Sequence, residues 1–388
     1  ENAVKIQPNH AGAHHNLALT FKNLGKFDKA ITSHEAAMKY EPKNLAHDYY
    51  LSELKKDFLN PQLKKKIDKI LENGKSNNIT NIVFGNYLLA KFARKSKNYE
   101  GEMNYLIKGH ENYFNSRKKK FDLGIKYCFD DVLQISGGVK VKKNDIEKSN
   151  KIKPIFIIGV PRCGSTLVEK IIGSGKQLVC NGEETSVFEN YINKKILSKQ
   201  SLNLGSVKDI RNELNDIFKE KGLLSKKSDY IFTDKSLNNF FYLELIKDIY
   251  PNAKIINCKR DPLSSIMSIF QNNLTDLAWT HDLNNIFKYF DNYFEIIENY
   301  NEINPNELYQ LEFEKLSNNP EEESKKLMKF CELPWDKNCL EFYKRKDLIS
   351  KTASNVQIRE AIYKHSIEKY LPYKIYLKKY GEKYSWFN

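Results

Sequence analysis

The sequence predicts an α/β fold in which a parallel β-sheet carries helices on both faces and follows an all-α region. Three observations lead to this prediction. From residue 151 onward, short apolar runs alternate with helical segments. Before residue 150, apolar residues recur at helical spacing. Residues 159–166, Gly-Val-Pro-Arg-Cys-Gly-Ser-Thr, join an apolar run to a helical one. We therefore expect a helical domain with a linker at 1–150 and an α/β domain at 151–388.

The expected strands are apolar runs bounded by polar turns, at residues 153–160, 230–233, 253–258 and 307–313. The expected helices alternate with them, at residues 166–172, 237–249, 263–270 and 284–300. Ligands of such sheets bind beyond the carboxyl ends of the strands. The octapeptide at 159–166 leaves the first strand at that edge, so we expect the functional site there.

The octapeptide, called the anion loop below, has the features of an anion site. A buried strand, a tight turn and a helix start direct free backbone N–H groups and the positive helix end at one point. Arg162 adds a fixed cationic fork, and Ser165 and Thr166 add hydroxyl donors. The predicted sheet is P-loop-like, but the loop is not a Walker A loop because it lacks the Gly-Lys-Ser/Thr ending.

Composition narrows the range of partners. The chain has 388 residues, a formal net charge of +14 and a pI near 9.1, so we expect anionic partners such as nucleotides, acidic peptides or anionic glycans. No basic run is interleaved with stacking aromatics, which makes nucleic acid a minor alternative. The six cysteines form no CxxC pair and indicate reduced thiols in a cytoplasmic protein. No stretch approaches the roughly 20 apolar residues of a membrane span. We see no signal peptide, although a natural N-terminus could precede Glu1.

The first fifty residues contain the pattern of a helix-turn-helix repeat. Small and apolar residues at 17–42 recur at the spacing of a unit of about 34 residues, and Pro8 and Pro42 lie one period apart. This segment resembles a tetratricopeptide repeat, with His14 and His34 in place of two usual large apolar residues. No carboxylate or cysteine completes a ligand set around the histidines, so we expect no metal.

The rest of the helical region shows weaker patterns. A degenerate copy of the repeat is expected at 83–113, and an amphipathic helix interrupted near Pro61 at 54–71. Residues 115–150 hold lysine clusters around Gly137-Gly138, and we interpret them as a linker with a boundary near 150.

Two further groups of polar residues follow the first predicted helix and a predicted strand. The paired carboxylates Glu183 and Glu184 could bind a metal, act as a base or cap a helix. Lys235 begins a helix, where a cation is unfavourable unless an anion lies near it. Asp234 could be that anion, or Lys235 could reach the anion loop.

A third group combines Arg260, at the end of a strand, with Ser268, two turns along the next helix. An arginine and a hydroxyl that converge at a helix start would hold a phosphate. Arg-Asp-Pro by itself is a common turn, so this group indicates a phosphate site only in combination with the other groups.

The groups together resemble the sulfotransferases that use 3′-phosphoadenosine 5′-phosphosulfate (PAPS). The anion loop looks like their 5′-phosphosulfate loop, and Arg260 with Ser268, eight residues on, looks like their 3′-phosphate motif. Residues 182–185 and Asp234-Lys235 are similar to the catalytic segments of protein-tyrosine sulfotransferases. The resemblance covers residues 155–380 and is nearest to bacterial proteins with tetratricopeptide repeats ahead of a sulfotransferase domain.

The resemblance implies in-line transfer of a sulfuryl group from PAPS to an acceptor hydroxyl, with 3′,5′-ADP (PAP) as product. Glu184 would be the base, and Lys235 with Arg162 would complete the catalytic set. The residues implied in nucleotide binding are Arg162, Cys163, Gly164, Ser165, Thr166, Arg260, Ser268, Arg359 and Lys369, with Ser366 as an alternative near the C-terminus. No metal is expected, because cationic side chains and helix N–H groups could replace Mg²⁺ for a sulfuryl group.

Two residues depart from the family pattern. Cys163 replaces a usual serine, which removes one hydroxyl, and its thiol could have a low pKa beside Arg162 and the helix end. Phe313 stands where relatives often have tyrosine.

The function and the acceptor leave alternatives open. A P-loop kinase or NTPase and a non-catalytic repeat scaffold with a relic nucleotide fold compete with the enzyme reading. The acceptor could be a protein tyrosine, another protein hydroxyl, a carbohydrate, a lipid or a small metabolite. The repeats could present a peptide or form a homodimer.

Overall fold

The computed structural model describes residues 1–72, 78–143, 152–199, 201–224, 231–345, 350, 352, 354–362 and 369–387. Its strands are β1 (Lys140–Lys142), β2 (Lys153–Gly159), β3 (Cys180–Asn181), β4 (Asn203–Ser206), β5 (Ile231–Asp234), β6 (Lys254–Lys259) and β7 (Leu308–Glu312). Five of them form one sheet in the order β3-β5-β2-β6-β7, and every pair in it is parallel. The predicted α/β class with a parallel sheet is confirmed.

The first predicted strand lies at the centre of this sheet. β2 pairs with β5 on one side and with β6 on the other. Its residues 154–159 are all buried, as the continuous apolar run requires of a strand covered on both faces. The end of β2 therefore brings the anion loop to the middle of the carboxyl edge of the sheet.

The helices before the sheet are α1 (Asn2–Ile6), α2 (Ala11–Asn23), α3 (Phe27–Tyr40), α4 (Leu45–Ser52), α5 (Pro61–Glu72), α6 (Ile79–Lys95), α7 (Tyr99–Asn115), α8 (Lys118–Lys126) and α9 (Val132–Gly138). The helices that follow are α10 (Ser165–Ile172), α11 (Val187–Lys199), α12 (Val207–Glu220), α13 (Leu243–Ile249), α14 (Pro262–Phe270), α15 (Leu283–Ile303), α16 (Phe313–Asn318), α17 (Pro320–Phe330) and α18 (Lys374–Gly381). Short 3-10 turns join several of these helices, and a π-helical turn at Tyr127–Asp131 joins α8 to α9.

The helical region consists of helix pairs, as its periodicity predicts. The pairs α2–α3 and α6–α7 occupy the two proposed repeats, and Gly25 forms the first turn with a φ of 70°. The helix expected at 54–71 begins only at Pro61, because proline suits the first helical turn and the preceding residues form turns. The tetratricopeptide assignment itself stays a prediction.

Residues 118–143 are folded, whereas the lysine clusters at 115–150 predict a linker. Phe121, Phe129 and Val132 of this stretch are buried in the main core, so its lysines are the solvent side of helices that pack inward. β1 pairs with β4, which lies far along the chain in the α/β part. The boundary expected near residue 150 lies outside the described residues.

Buried polar contacts join the helical region to the sheet domain. The Glu102 carboxylate in α7 accepts hydrogen bonds from the Gln271 amide (3.0 Å) and the Tyr373 hydroxyl (2.7 Å). His110 Nε2 lies 2.8 Å from the Phe270 carbonyl oxygen, and the Nδ1 atoms of His110 and His281 are 2.9 Å apart. The two parts share one continuous apolar core.

Candidate active site at the carboxyl edge of the sheet

The anion loop turns from β2 into α10 with little room beside its backbone. Gly164 has a φ of 97° and stands directly before α10. Among the residues described, Gly164 at the N-cap of α10 makes no side-chain capping bond, and a helix start of this kind carries a partial positive charge that attracts anions. Phe313, one of the two departures from the family pattern, packs against this glycine. The hydroxyl-bearing residues Ser165 and Thr166 are each only 5% exposed.

Arg162 connects the loop to two other segments. Its Nε donates to Ser268 Oγ at 2.9 Å, Nη1 to Ser354 Oγ at 2.8 Å and Nη2 to Gln357 Oε1 at 3.0 Å. Arg260 Nη1 donates to the Arg162 carbonyl oxygen at 2.8 Å. Arg162 also has a φ of 70°, a left-handed conformation that costs a non-glycine residue energy and is frequent at functional sites. The structure thus brings Arg162, Arg260 and Ser268 together.

The helix α14 places Arg260 and Ser268 in this cleft. Asp261 caps it by accepting a hydrogen bond from the Ser264 N–H at 2.7 Å, and Pro262 occupies its first turn. The Arg260 guanidinium lies 4.9 Å from the ring centroid of Phe313. Stacking of this kind holds a cation in place without using its hydrogen-bond donors.

Glu184 and Lys235 form an ion pair at the same edge of the sheet. Lys235 Nζ lies 2.8 Å from Glu184 Oε1, and the Lys235 side chain is fully buried while that of Glu184 is 52% exposed. Burial lowers the pKa of Lys235, but the carboxylates of Glu184, Glu169 and Glu183 raise it, and the net direction is upward. Lys235 is therefore a permanent cation, and the carboxylate beside it opens to solvent.

The sequence allows Asp234 to be the anionic partner of Lys235, but the hydrogen bonds of its carboxylate go to other residues. Its carboxylate accepts from the Thr185 hydroxyl, from the Ser236 N–H at 2.9 Å and from Asn239 Nδ2 at 3.2 Å. Burial raises the pKa of Asp234, and the hydrogen bonds from Ser236 and Thr185 oppose that rise. Asp234 ties together the loops that follow β3 and β5.

Cys163 lies beneath the loop rather than in the cleft. Its side chain is fully buried beside Gly159, and it hydrogen-bonds with Cys258 at the end of β6. The bond with Cys258 lowers the pKa of the Cys163 thiol, burial opposes this, and the net direction is downward. Cys163 can reach a bound anion only through its backbone N–H, which lies 3.3 Å from the Val160 carbonyl oxygen.

Arg359 lies against the first helical repeat in this structure. Its Nη2 is 3.4 Å from the Asn23 carbonyl oxygen, and its guanidinium lies 5.7 Å from the ring centroid of Phe27. The segment that carries Arg359 also carries Ser354 and Gln357, which bond Arg162. Arg359 itself does not contact Arg162 in any hydrogen bond between described residues, but its neighbours Ser354 and Gln357 do.

Lys369 is exposed, and its ammonium lies 5.2 Å from the ring centroid of Tyr370. Among the described residues, no contact joins Lys369 to Arg162, Arg260 or Ser268. Ser366, the alternative near the C-terminus, lies outside the described part of the chain.

Sequence reasoning missed a buried ionic cluster behind the Glu184–Lys235 pair. Lys170 Nζ lies 3.1 Å from Glu183 Oε1 and 3.3 Å from Glu169 Oε2, and Glu169 and Lys170 are 0% and 2% exposed. The available signal was two adjacent charges within the apolar run at 167–172. On a helix buried nearly all round, charges must be paired.

Two further findings apply to all the residues that the structure describes. No helix within it is long and apolar enough to cross a membrane. Within the same residues, no three His, Cys, Asp or Glu side chains are arranged to hold a metal ion.

Comparison with known proteins identifies the segment that contains this site. Residues 154–337 match the sequence model of the sulfotransferase family. An uncharacterized protein of Aquifex aeolicus is 30% identical over 313 residues, which are 75% of this chain and 40% of that protein. Protein-tyrosine sulfotransferase A of Caenorhabditis elegans is 24% identical over 260 residues, 63% of this chain and 66% of the relative. The chain thus spans less than two thirds of either relative.

Among solved structures, the sulfotransferase domain of the Synechococcus PCC 7002 olefin synthase aligns with a TM-score of 0.41 and 16% identity. The alignment covers 57% of this chain and 88% of that domain. The assignment rests on the sequence match, which includes β2, the anion loop and every strand that pairs in the five-stranded sheet. Residues 154–337, which contain the candidate site, thus match the sulfotransferase family.

Proposed function

We propose that the chain is a PAPS-dependent sulfotransferase in which Glu184 takes the proton from an acceptor hydroxyl. One observation carries the proposal: the buried Lys235 ammonium lies 2.8 Å from the solvent-facing Glu184 carboxylate, at the edge where the anion loop begins. In-line transfer needs a base on the acceptor side and a cation on the leaving-group side. This pair can supply both.

The anion loop supports PAPS as the donor. Arg162, Gly164, Arg260 and Phe313 line one cavity, beside the uncapped start of α10. Two arginines and the positive end of a helix suit a ligand that carries phosphate and sulfate. The cavity volume is about 70 Å³, whereas pockets for small ligands measure roughly 300–1,000 Å³. Six residues between 354 and 362 line it, and we expect this segment to shift when the nucleotide enters.

The residues around the loop then have defined tasks. The donor, when bound, supplies an electrophilic sulfur with a phosphate leaving group. Glu184 accepts the acceptor proton while the acceptor oxygen bonds to sulfur, and Lys235 and Arg162 offset the negative charge that grows on the departing oxygen. Arg260 and Ser268 fix the nucleotide end, so that the reacting atoms stay in line.

A protein tyrosine is the acceptor we propose first. The segment Glu183-Glu184-Thr185 resembles the catalytic segment of protein-tyrosine sulfotransferases, and the relative from Caenorhabditis elegans carries that name. Glu184 is exposed enough to meet a side chain presented by another polypeptide. Peptides with one tyrosine, matched against the same peptides with phenylalanine or serine, separate this acceptor from carbohydrate, lipid and metabolite acceptors.

The test compares wild-type protein with Glu184→Gln in two assays. Both proteins are expected to bind 3′,5′-ADP, measured by calorimetry and by heat stabilisation. Transfer of labelled sulfate from PAPS should fall about 10²- to 10⁴-fold in Glu184→Gln, the range that a general base contributes. Glu321→Gln, a change at an exposed carboxylate on α17, should transfer at the wild-type rate.

The other outcomes decide between the alternatives. No binding of 3′,5′-ADP to wild-type protein overturns the proposal, and turnover of Mg-ATP would then favour a P-loop kinase or NTPase. Binding without transfer to any acceptor class would favour the non-catalytic scaffold. An unchanged transfer rate in Glu184→Gln would remove this residue from the role of base.

A further inference from the structure

A fully buried carboxylate lies directly behind the proposed active site. Glu169 is 0% exposed on α10, one turn after Ser165 of the anion loop. An ionised carboxylate in such a place costs several kcal/mol unless its oxygens are satisfied. Its partners therefore show what the residue is for.

Glu169 uses one oxygen to join two segments of the site. Its Oε1 accepts a hydrogen bond from the Glu183 N–H at 2.9 Å and another from the Thr233 hydroxyl at 2.8 Å. Its Oε2 pairs with Lys170 at 3.3 Å. One donor belongs to the loop after β3, and the other belongs to β5.

Those two donors stand beside Glu184 and Lys235 in the chain. Glu183 immediately precedes Glu184 and is held with a φ of 52°, a left-handed conformation that requires support from its surroundings. Thr233 lies two residues before Lys235, and the Lys235 N–H donates to the Glu183 carbonyl oxygen at 2.8 Å. One carboxylate thus ties down both backbones from which the ion pair projects.

Stability alone explains this arrangement poorly. A buried ion pair is often no more stabilising than apolar residues of the same volume. Because both backbone segments that Glu169 holds belong to the proposed catalytic pair, we infer that Glu169 is a positioning residue that sets the geometry of Glu184 and Lys235. The inference rests on the proposed function.

The main test is Glu169→Gln, which preserves shape and removes charge. Because a misplacement of about 1 Å costs about 10²-fold in rate, kcat should fall about 10- to 100-fold while the Kd for 3′,5′-ADP stays within about twofold. Glu102→Gln is the matched control: Glu102 is also fully buried, and it accepts hydrogen bonds from Arg94, Gln271 and Tyr373 away from the site. It should lower the urea midpoint and leave kcat unchanged.

A second pair of variants tests the hydrogen bond without changing charge. Thr233→Val removes the hydroxyl that donates to Glu169, and Thr233→Ser keeps it. We expect Thr233→Val to lower kcat and Thr233→Ser to restore it. Equal rates in the two variants would contradict the positioning role.

A third readout does not depend on activity. The Glu169 charge helps to hold the pKa of Lys235 up against burial, so Glu169→Gln should move the titration of Lys235 to lower pH. NMR of lysine labelled at Cε, with the signal assigned from Lys235→Arg, measures this shift. If wild-type protein transfers no sulfate, the proposed function fails while this titration still tests the link between Glu169 and Lys235. Unchanged kcat and unchanged titration would overturn the inference.

Discussion

Gly164 shows how closely the anion loop depends on single residues. A Cβ added there would lie 2.3 Å from Cδ2 of Phe313, and the φ of 97° is one that side chains rarely adopt. Phe313 in turn supports the Arg260 guanidinium. A side chain at this position would therefore disturb both the loop and the arginine that the ring holds.

We predict that Gly164→Ala weakens binding of 3′,5′-ADP at least about tenfold, because backbone strain of about 1–3 kcal/mol adds to displacement of the ring. Calorimetry measures the change. Gly222→Ala is the control, since Gly222 has a φ of 77° and no described residue lies within 4 Å of an added Cβ. It shares the backbone strain but does not line the cavity, so it should bind 3′,5′-ADP as the wild type does. An equal loss of affinity in both variants would show that general destabilisation, and not the loop, causes the effect.

Sequence pattern reveals residues that belong to one continuous motif, and it does not reveal residues whose role depends on distant contacts. Gly164 and Arg162 lie within one continuous motif, so local pattern was sufficient to find them. Glu169 makes its contacts with residues 14 and 64 positions away, and nothing in the local pattern points to those partners. Cys163 belongs to the same motif, but the direction of its thiol, toward Cys258, depends on the packing of β2 on β6.

At the scale of elements, the N-terminus of α14 controls one end of the site. Asp261 caps this helix, which carries Ser268 and follows Arg260. Asp282 caps α15 in the same way, through the Asn285 N–H at 3.0 Å, and no residue of α15 lines the cavity beside the anion loop. Comparing the two caps separates the effect of a cap on stability from its effect on the geometry of the site.

We predict that Asp261→Ala and Asp282→Ala each reduce the free energy of unfolding by about 1 kcal/mol, the usual value of an N-cap. Urea denaturation measures this. Only Asp261→Ala should weaken binding of 3′,5′-ADP, because only its helix carries Ser268 and directly follows Arg260. A similar loss of nucleotide affinity in Asp282→Ala would contradict this division.

The same elements show what sequence pattern resolves. β2, β5, β6 and β7 are runs of apolar residues long enough to be predicted, and all four begin within one residue of the expected position. β3 has two residues and exists because it pairs with β5, so no pattern of its own marks it. Glu184 and Lys235 are 51 residues apart, and they meet because β3 and β5 are neighbours in the sheet. Strand order follows from tertiary packing, which local periodicity does not contain.

At the scale of the whole molecule, buried histidines lie both in the first repeat and where the helical region meets the sheet domain. Burial lowers the pKa of His15 to about 4 and that of His34 to about 3. It also lowers the pKa of His110 to about 4 and that of His281 to about 2. These rings are neutral in the folded protein.

The direction of the resulting pH dependence follows from proton binding. In the unfolded chain, these histidines take up protons near their ordinary pKa of about 6.5. Below that pH the unfolded state binds more protons than the folded state, so the free energy of unfolding falls as the pH drops from about 6.5 toward 4. Each such proton contributes about 1.4 kcal/mol per pH unit. Stability should therefore be complete above pH 7 and decline in mild acid.

His34 offers the sharpest test of this account. Neither of its ring nitrogens has a hydrogen-bond partner among the described residues, and its ring stacks on Tyr50 with the centroids 5.8 Å apart. The positive charges of His15, His47 and Lys22 lower the pKa of His34 further. The carboxylate of Glu53 acts in the opposite direction and raises it.

We predict that His34→Phe raises the urea midpoint, and raises it more at pH 5 than at pH 7.5. Phenylalanine keeps the stacked ring and removes two unsatisfied buried nitrogens, which accounts for a gain at both pH values. It also removes one group that the unfolded chain protonates in acid, which accounts for the larger gain at pH 5. The same gain at both pH values would mean that the ring nitrogens matter for packing alone and that other groups set the acid sensitivity of the fold.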